Sequence, residues 1–196
     1  TLFMQIMHGG RTSHPDLIDG ASPEAPSSFD WGGTVRGFSG KMDAPVPREL
    51  KKEELPRIVD EFRQGARRAI DAGVDGVEIH NANGYLLHEF MAASSNKRED
   101  EFGGSPENRW RLPEMVIRAV VEEIGADRVG VRFSPAHNVQ GVIEDDQEDM
   151  LATYGGLLDA LAPLNLAYVS LLHSEPESEL IAQLAQKARA NGVTKV

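Results

Sequence analysis

The sequence predicts an α/β domain built on a parallel sheet, and three observations lead there. Short apolar runs alternate with amphipathic helical stretches about four times along the 196 residues. The polar residues Gln5, His80 and Arg132 fall within or at the ends of successive apolar runs, as they do where a site gathers at strand ends. No glycine-rich dinucleotide or phosphate-loop fingerprint is present, because Gly103-Gly104-Ser105 lacks the required spacing, so a barrel is favoured over a doubly wound dinucleotide domain.

Leu2 to Met7 is apolar apart from Gln5 and ends at Gly9-Gly10, which suits a strand buried on both faces. A glutamine inside such a run needs partners, since an unsatisfied buried amide costs about 1–3 kcal/mol. Residues 11–47 are rich in Gly, Pro, Ser and Asp without a sustained period and predict a long irregular loop, read as a substrate-side excursion. Leu55, Ile58, Val59, Phe62, Ala66, Ala69 and Ile70 then recur at helical spacing, with Pro56 near the first turn and Gly73 as terminator. A strand through Val77 and Ile79 follows, then a short helix over Leu86 to Ala93. Ser105-Pro106 reads as an N-cap and first helical position after a polar stretch. The helix beyond it carries Leu112, Met115, Val116, Ala119, Val120 and Ile124, and Pro113 inside that pattern predicts a kink or a displaced start. Val129 to Phe133 is a strand holding Arg132 in apolar surroundings, where a buried guanidinium requires an anion or acceptor. The acidic run Glu144 to Asp149 opens a helix reaching Leu161, which Gly155-Gly156 weakens by about 1 kcal/mol per glycine. Leu166 to Leu172 is a strand, Ser178 to Ala190 a helix, and Val193 to Val196 the start of a further strand.

Composition narrows the function. At 40% hydrophobic and 26% charged the chain fits one soluble domain, residues 1–196. It has no apolar run of about 18 residues, and Thr1-Leu2-Phe3-Met4 shows no basic stretch ahead of an apolar one, so neither a membrane span nor a secretory signal is expected, and a cytoplasmic location is. The absence of cysteine excludes disulfides, thiolate nucleophiles and cysteine-type metal sites within these residues, and no metal is expected. A net charge of −11 argues against nucleic acid or an anionic membrane as partner, so local groups must hold any anionic ligand.

The densest chemistry lies in Gly76-Val77-Glu78-Ile79-His80-Asn81-Ala82-Asn83-Gly84-Tyr85, a short strand delivering a histidine, an asparagine and a tyrosine to a turn. His80 and Asn83 can aim two N–H donors at one oxygen, and Tyr85 can supply an acidic O–H, which together suggest an oxyanion clamp and a general acid. The same residues also fit turn chemistry around a satisfied core histidine, and spacing alone does not separate the two readings.

Four motifs taken together do. Gln5-Ile6-Met7-His8-Gly9-Gly10-Arg11, the run from Asp75 to Phe90, the run from Asn96 to Ser105 with Glu107-Asn108-Arg109, and Val129 to Pro135 resemble, in order, the Old Yellow Enzyme family of FMN-dependent NAD(P)H ene reductases. The resemblance spans nearly the whole chain and implies a partial TIM (β/α)8 barrel, about strands 3 to 6 with their helices and the start of the seventh strand. It implies that Gln5 and Arg132 bind the flavin, with Arg132 near its N1/C2 carbonyl side. It implies that His80 and Asn83 bind the carbonyl or nitro oxygen of a small-molecule substrate, that hydride leaves flavin N5, and that Tyr85 protonates the α-carbon. Met7 and Phe102 stand where a tryptophan and a tyrosine are frequent, which alters packing more than chemistry. His8, His14, His88, His137 and His173 read as structural or solvent histidines, and Arg11 is a further candidate for touching the ligand.

A full eight-stranded barrel needs about 250 residues. In the family, the first two strands carry a residue near flavin N5 and O4, and the seventh and eighth carry the phosphate grip; the resemblance puts both outside this chain. Two functions follow: part of an active flavoenzyme using NADPH or NADH, or a non-catalytic half-barrel that self-associates through open barrel edges. The choice among enones, nitro compounds, nitrate esters and maleimides is left open.

Overall fold

A computed structural model of the protein describes residues 1–193 and 195–196. The chain runs through β1 (Phe3–Ile6), β2 (Glu24–Ala25), β3 (Thr34–Gly37), β4 (Gly40–Asp43), β5 (Arg48–Glu49), α1 (Leu55–Asp71), β6 (Gly76–Asn81), α2 (Leu86–Met91), α3 (Pro106–Ile124), β7 (Val129–Phe133), α4 (Gln147–Leu161), β8 (Tyr168–Leu171) and α5 (Glu179–Ala190). The main sheet has four parallel strands in the order β1-β6-β7-β8. That order rises along the sheet without reversing, as in a barrel wall and unlike a doubly wound sheet, whose order turns back at a switch point.

Helices pack against one face of this sheet. Successive side chains alternate between faces, and the row Ile6, Ile79, Val131 and Val169 runs across all four strands in register. Val77, Ile79, Val129, Val131 and Phe133 are completely buried on that side, where they join one core with the apolar faces of the helices. Helix α1 contributes Leu55, Ile58, Phe62, Ala66 and Ala69, spaced three or four apart. Helix α3 starts where its cap predicts, with Ser105 Oγ accepting from the N–H of Asn108 at 3.3 Å. It continues unbroken through the buried Pro113, which removes only the donor that would reach the Arg109 carbonyl. The glycine pair in α4 has a packing reason: a Cβ on Gly156 would come within 2.9 Å of the indole nitrogen of Trp110 on α3, so the helix gives up some propensity to let its neighbour approach.

Two expectations are corrected. The first strand is not buried on both faces, because β1 is an edge strand paired only with β6. Leu2, Met4 and Met7 are exposed, and Gln5 is exposed with them. The excursion over residues 11–47 is not wholly irregular either; it folds the antiparallel hairpin β3–β4, and β2 pairs in parallel with β5 just after it. The further strand expected over residues 193–196 includes position 194, which lies outside the described residues; on its flank, Val169 donates its N–H to the carbonyl of Lys195 at 3.0 Å. Among the described residues no helix is long and apolar enough to cross a membrane.

Arg109, from the Glu-Asn-Arg motif, fastens this framework. Its buried guanidinium donates to the carbonyls of Met91 at 2.7 Å and Gly104 at 2.6 Å, to both carboxylate oxygens of Asp149 at 2.6 Å, and to Thr153 Oγ1 at 2.9 Å. One side chain thereby joins the end of α2, the turn before α3, and α4. Arg109→Met should lower unfolding stability by about 3 kcal/mol in urea titrations, because buried acceptors lose their donors. A loss below about 1 kcal/mol would show the fastening to be dispensable.

Candidate active site

The face of the sheet away from the helices carries the polar chemistry. Alternation along β6 puts Gly76, Glu78 and His80 there, and register adds two rows: Gln5, Glu78, Gly130 and Tyr168, then His80, Arg132 and Ser170. A side chain on Gly130 would collide with the Tyr168 ring, so the glycine lets that ring lie across the sheet, where it meets Phe3 from the opposite edge strand at 5.4 Å between centroids. The sheet is curved enough for its two edges to touch over its middle.

Glu78 is at the centre of this face. Its Oε1 accepts from Gln5 Nε2 at 2.6 Å and its Oε2 from the Tyr168 hydroxyl at 3.0 Å, while Arg132 Nε sits 3.7 Å from Oε1. Arg132 Nε also donates to Ser170 Oγ at 3.3 Å. Burial first, and then the bond to Glu78, pushes the Tyr168 phenol above its usual range, so it stays a donor. Gln5 is therefore not the buried amide expected from its apolar neighbours: on an edge strand it is exposed and satisfied by Glu78. Arg132 is half-buried, not enclosed, and has its acidic partner.

His80 is 3% exposed, and neither ring nitrogen has a hydrogen-bond partner among the described residues. Burial, reinforced by the Arg132 charge, holds its imidazole below the usual histidine range, so near neutrality it offers one N–H and one lone pair. The ring of Tyr85 lies 5.3 Å from it, centroid to centroid. Tyr85 takes extended backbone geometry as the residue before α2, and the chain reaches it through two left-handed residues, Asn83 at φ 56° and Gly84 at φ 74°.

That turn is held on every side. The N–H of Asn83 donates to Ser134 Oγ at 2.7 Å, its carbonyl accepts from Gln140 Nε2 at 2.8 Å, and its Oδ1 lies 3.0 Å from His137 Nδ1. The N–H of Gly84 donates to Nδ1 of buried His88 at 2.9 Å, which places that ring's proton on Nε2, facing Tyr154 and Glu144. Burial alone would raise the Glu144 carboxyl, yet the His88 imidazole and hydrogen bonds from Tyr154 and the Ala136 N–H hold it below its usual range.

Arg11 does not reach the open face. Its guanidinium is buried between Phe29 and Trp31, 5.4 and 5.2 Å from their ring centroids, and its Nη2 donates to the Gln140 carbonyl at 3.2 Å. It pins the excursion to the loop that carries Gln140. Its backbone N–H donates to Oε1 of Glu89 at 2.9 Å; full burial there pushes the Glu89 carboxyl up to about 8.

Thus the structure brings Gln5, His80 and Arg132 onto one face and Tyr85 against His80, while the Asn83 side chain meets His137. Sequence reasoning missed Glu78, although its alternation with His80 marks it for the same face. It also missed Ser134, His137 and Gln140, whose link to Asn83 spans more than fifty residues and leaves no local signal.

The chain is similar to known proteins in sequence and in fold. The model of the NADH:flavin oxidoreductase / NADH oxidase family matches residues 1–190. The 12-oxophytodienoate reductase 1 of Oryza sativa subsp. japonica is 48% identical over 144 residues, 74% of this chain and 37% of that protein. The old yellow enzyme homologue from Zymomonas mobilis superposes with a TM-score of 0.82 at 37% identity, covering 87% of this chain and 47% of that one. Morphinone reductase in complex with tetrahydroNAD gives a TM-score of 0.85 at 35% identity, covering 98% and 53%. The chain spans less than half the length of the curated relatives it matches.

Glu89 gives this region a pH signature. Its carboxyl titrates near 8 folded, against 4.5 as its ordinary value, so the folded state holds an extra proton between those limits. Stability therefore falls as pH rises from about 5 to 8, by at most about 1.4 kcal/mol per pH unit from this group. Glu89→Gln should remove that slope, and its advantage over the wild type should grow across the window in denaturant titrations. An advantage independent of pH would mean that Glu89 ionises normally.

Proposed function

Because the chain belongs to the NADH:flavin oxidoreductase / NADH oxidase family, we propose that it forms the substrate-facing part of an FMN-dependent NAD(P)H ene reductase acting on activated C=C bonds of α,β-unsaturated carbonyl or nitro compounds. The observation that carries this reading is His80, buried on the open face with both nitrogens unpartnered. An orphaned buried donor costs about 1–3 kcal/mol, which a ligand oxygen would recover.

The open face fits a flat, polar-edged ring. Gln5 offers an amide, and Arg132, held at Nε by Ser170 and Glu78, keeps its two Nη groups for an anionic edge. When bound and reduced by NAD(P)H, FMN supplies the hydride taken up by the substrate's β-carbon. Every other task falls to the chain. His80 donates its N–H to the carbonyl or nitro oxygen and draws electron density off the alkene. Asn83, whose Oδ1 lies against His137, keeps its NH2 as a second donor for that oxygen. Tyr85, beside His80, delivers the proton to the α-carbon.

A second reading has its own observation. Edge strand β1 is bare, with Leu2, Met4 and Met7 exposed, a surface that pairs readily with another copy. On that reading the chain is an assembling, non-catalytic half-barrel.

The absorption spectrum of the purified protein separates them. A flavin band that NADPH bleaches supports the enzyme; a colourless protein that self-associates supports the module. In the loaded protein, Tyr85→Phe should slow the half-reaction with an enone by about 10²-fold or more and leave reduction by NADPH nearly unchanged. Equal losses in both half-reactions would remove Tyr85 as proton donor.

A further inference from the structure

We propose that Glu78 is a positioning residue that sets the reduction potential of the flavin on the open face, an inference that rests on the reading above. Three side chains from three other strands converge on this one carboxylate: Gln5 of β1 donates to it at 2.6 Å, Tyr168 of β8 donates at 3.0 Å, and Arg132 of β7 pairs with it as a cation at 3.7 Å. Gln5 and Arg132 are the two residues assigned to the flavin, so the groups that would touch the ring are tethered to a single anion behind them. Glu78 and Ser170 both meet Arg132 at Nε, the guanidinium nitrogen nearest the backbone, without using its two Nη groups.

The charge matters as well as the geometry. Arg132 alone would favour the anionic reduced ring; a carboxylate 3.7 Å from it offsets part of that field and makes electron uptake harder. Packing does not require a charge here. The side chain is 14% exposed, and a glutamine of the same shape could still accept through its oxygen. Two opposing charges on one face are a means of tuning the potential while holding the ring's partners still.

The test is a spectroelectrochemical titration of the flavin-loaded, full-length protein. Glu78→Gln should raise the ratio of reduced to oxidised flavin at a fixed potential by about tenfold, an upward shift of about 30 mV for this two-electron couple. Tyr168→Phe should act in the opposite sense. It keeps the ring against Phe3 but removes the hydroxyl that disperses the carboxylate's charge, so the ratio should fall more than twofold. A role in stability alone would not move the two variants in opposite directions. A rise below threefold in Glu78→Gln, or a smaller or reversed change in Tyr168→Phe, overturns the inference. If Glu78→Gln takes up no flavin, Tyr168→Phe decides alone by the same criterion. Wild-type protein that binds no flavin overturns the functional reading itself; flavin-bound protein indifferent to both changes overturns only the role of Glu78.

Discussion

A parallel strand in a barrel wall must satisfy two solvents at once, and in β6 that demand is met by strict alternation. Val77 and Ile79 face the helices and are fully buried, while Glu78 and His80 face the open side. Slipping the register by one residue would exchange the sets, sending a carboxylate and an imidazole into the core. The dense apolar layer under the sheet therefore does more than stabilise the fold. By fixing the register of β1, β6, β7 and β8 it decides that Gln5, Glu78, His80 and Arg132 share a surface, although more than a hundred residues separate the first from the last.

Above that register lies a second level of order made by loops. The turn at Asn83 and Gly84 uses two left-handed residues and is gripped by Ser134, Gln140, His137 and His88. His88 rests in turn on Glu144 and Tyr154, and Gln140 on Arg11. The Asn83 turn is thus anchored to the loop after β7 and, through it, to the long excursion after β1. Strand ends choose which residues are available; the loops choose how their side chains are aimed. The supports reach the Asn83 turn and stop short of His80, whose two ring nitrogens have no partner among the described residues.

Much of the fold was legible because helical spacing and short apolar runs are local. The spacing of Leu55, Ile58, Phe62 and Ala66, and the Ser105-Pro106 start, appear in the structure as the sequence predicts. The misreading of β1 has a physical cause. An apolar run states that a strand can be buried, but whether it is depends on its neighbour, and β1 has one neighbour only. Gln5 was misjudged for the same reason. At the site, the strand-end residues were legible and their supports were not: Ser134, His137 and Gln140 act on Asn83 through long-range contacts that carry no periodicity. Glu78 stood in plain alternation with His80 and was passed over because an acidic residue in a strand resembles an ordinary solvated one. Pro113 shows the converse, a strong local breaker that tertiary packing absorbs without interrupting α3.

The proposed function rests on one observation, that neither ring nitrogen of buried His80 has a partner among the described residues, and on the proposal that a ligand oxygen supplies it. Nitrogen-15 NMR of the histidine rings in the flavin-loaded protein, with the His80 signal assigned by its loss in His80→Ala, observes those nitrogens directly. On adding a carbonyl ligand that cannot be reduced, the His80 N–H signal should shift as it acquires a hydrogen bond, while the His88 signals, already committed to Gly84 and Tyr154, stay in place. A His80 signal that does not respond to bound ligand would contradict the site.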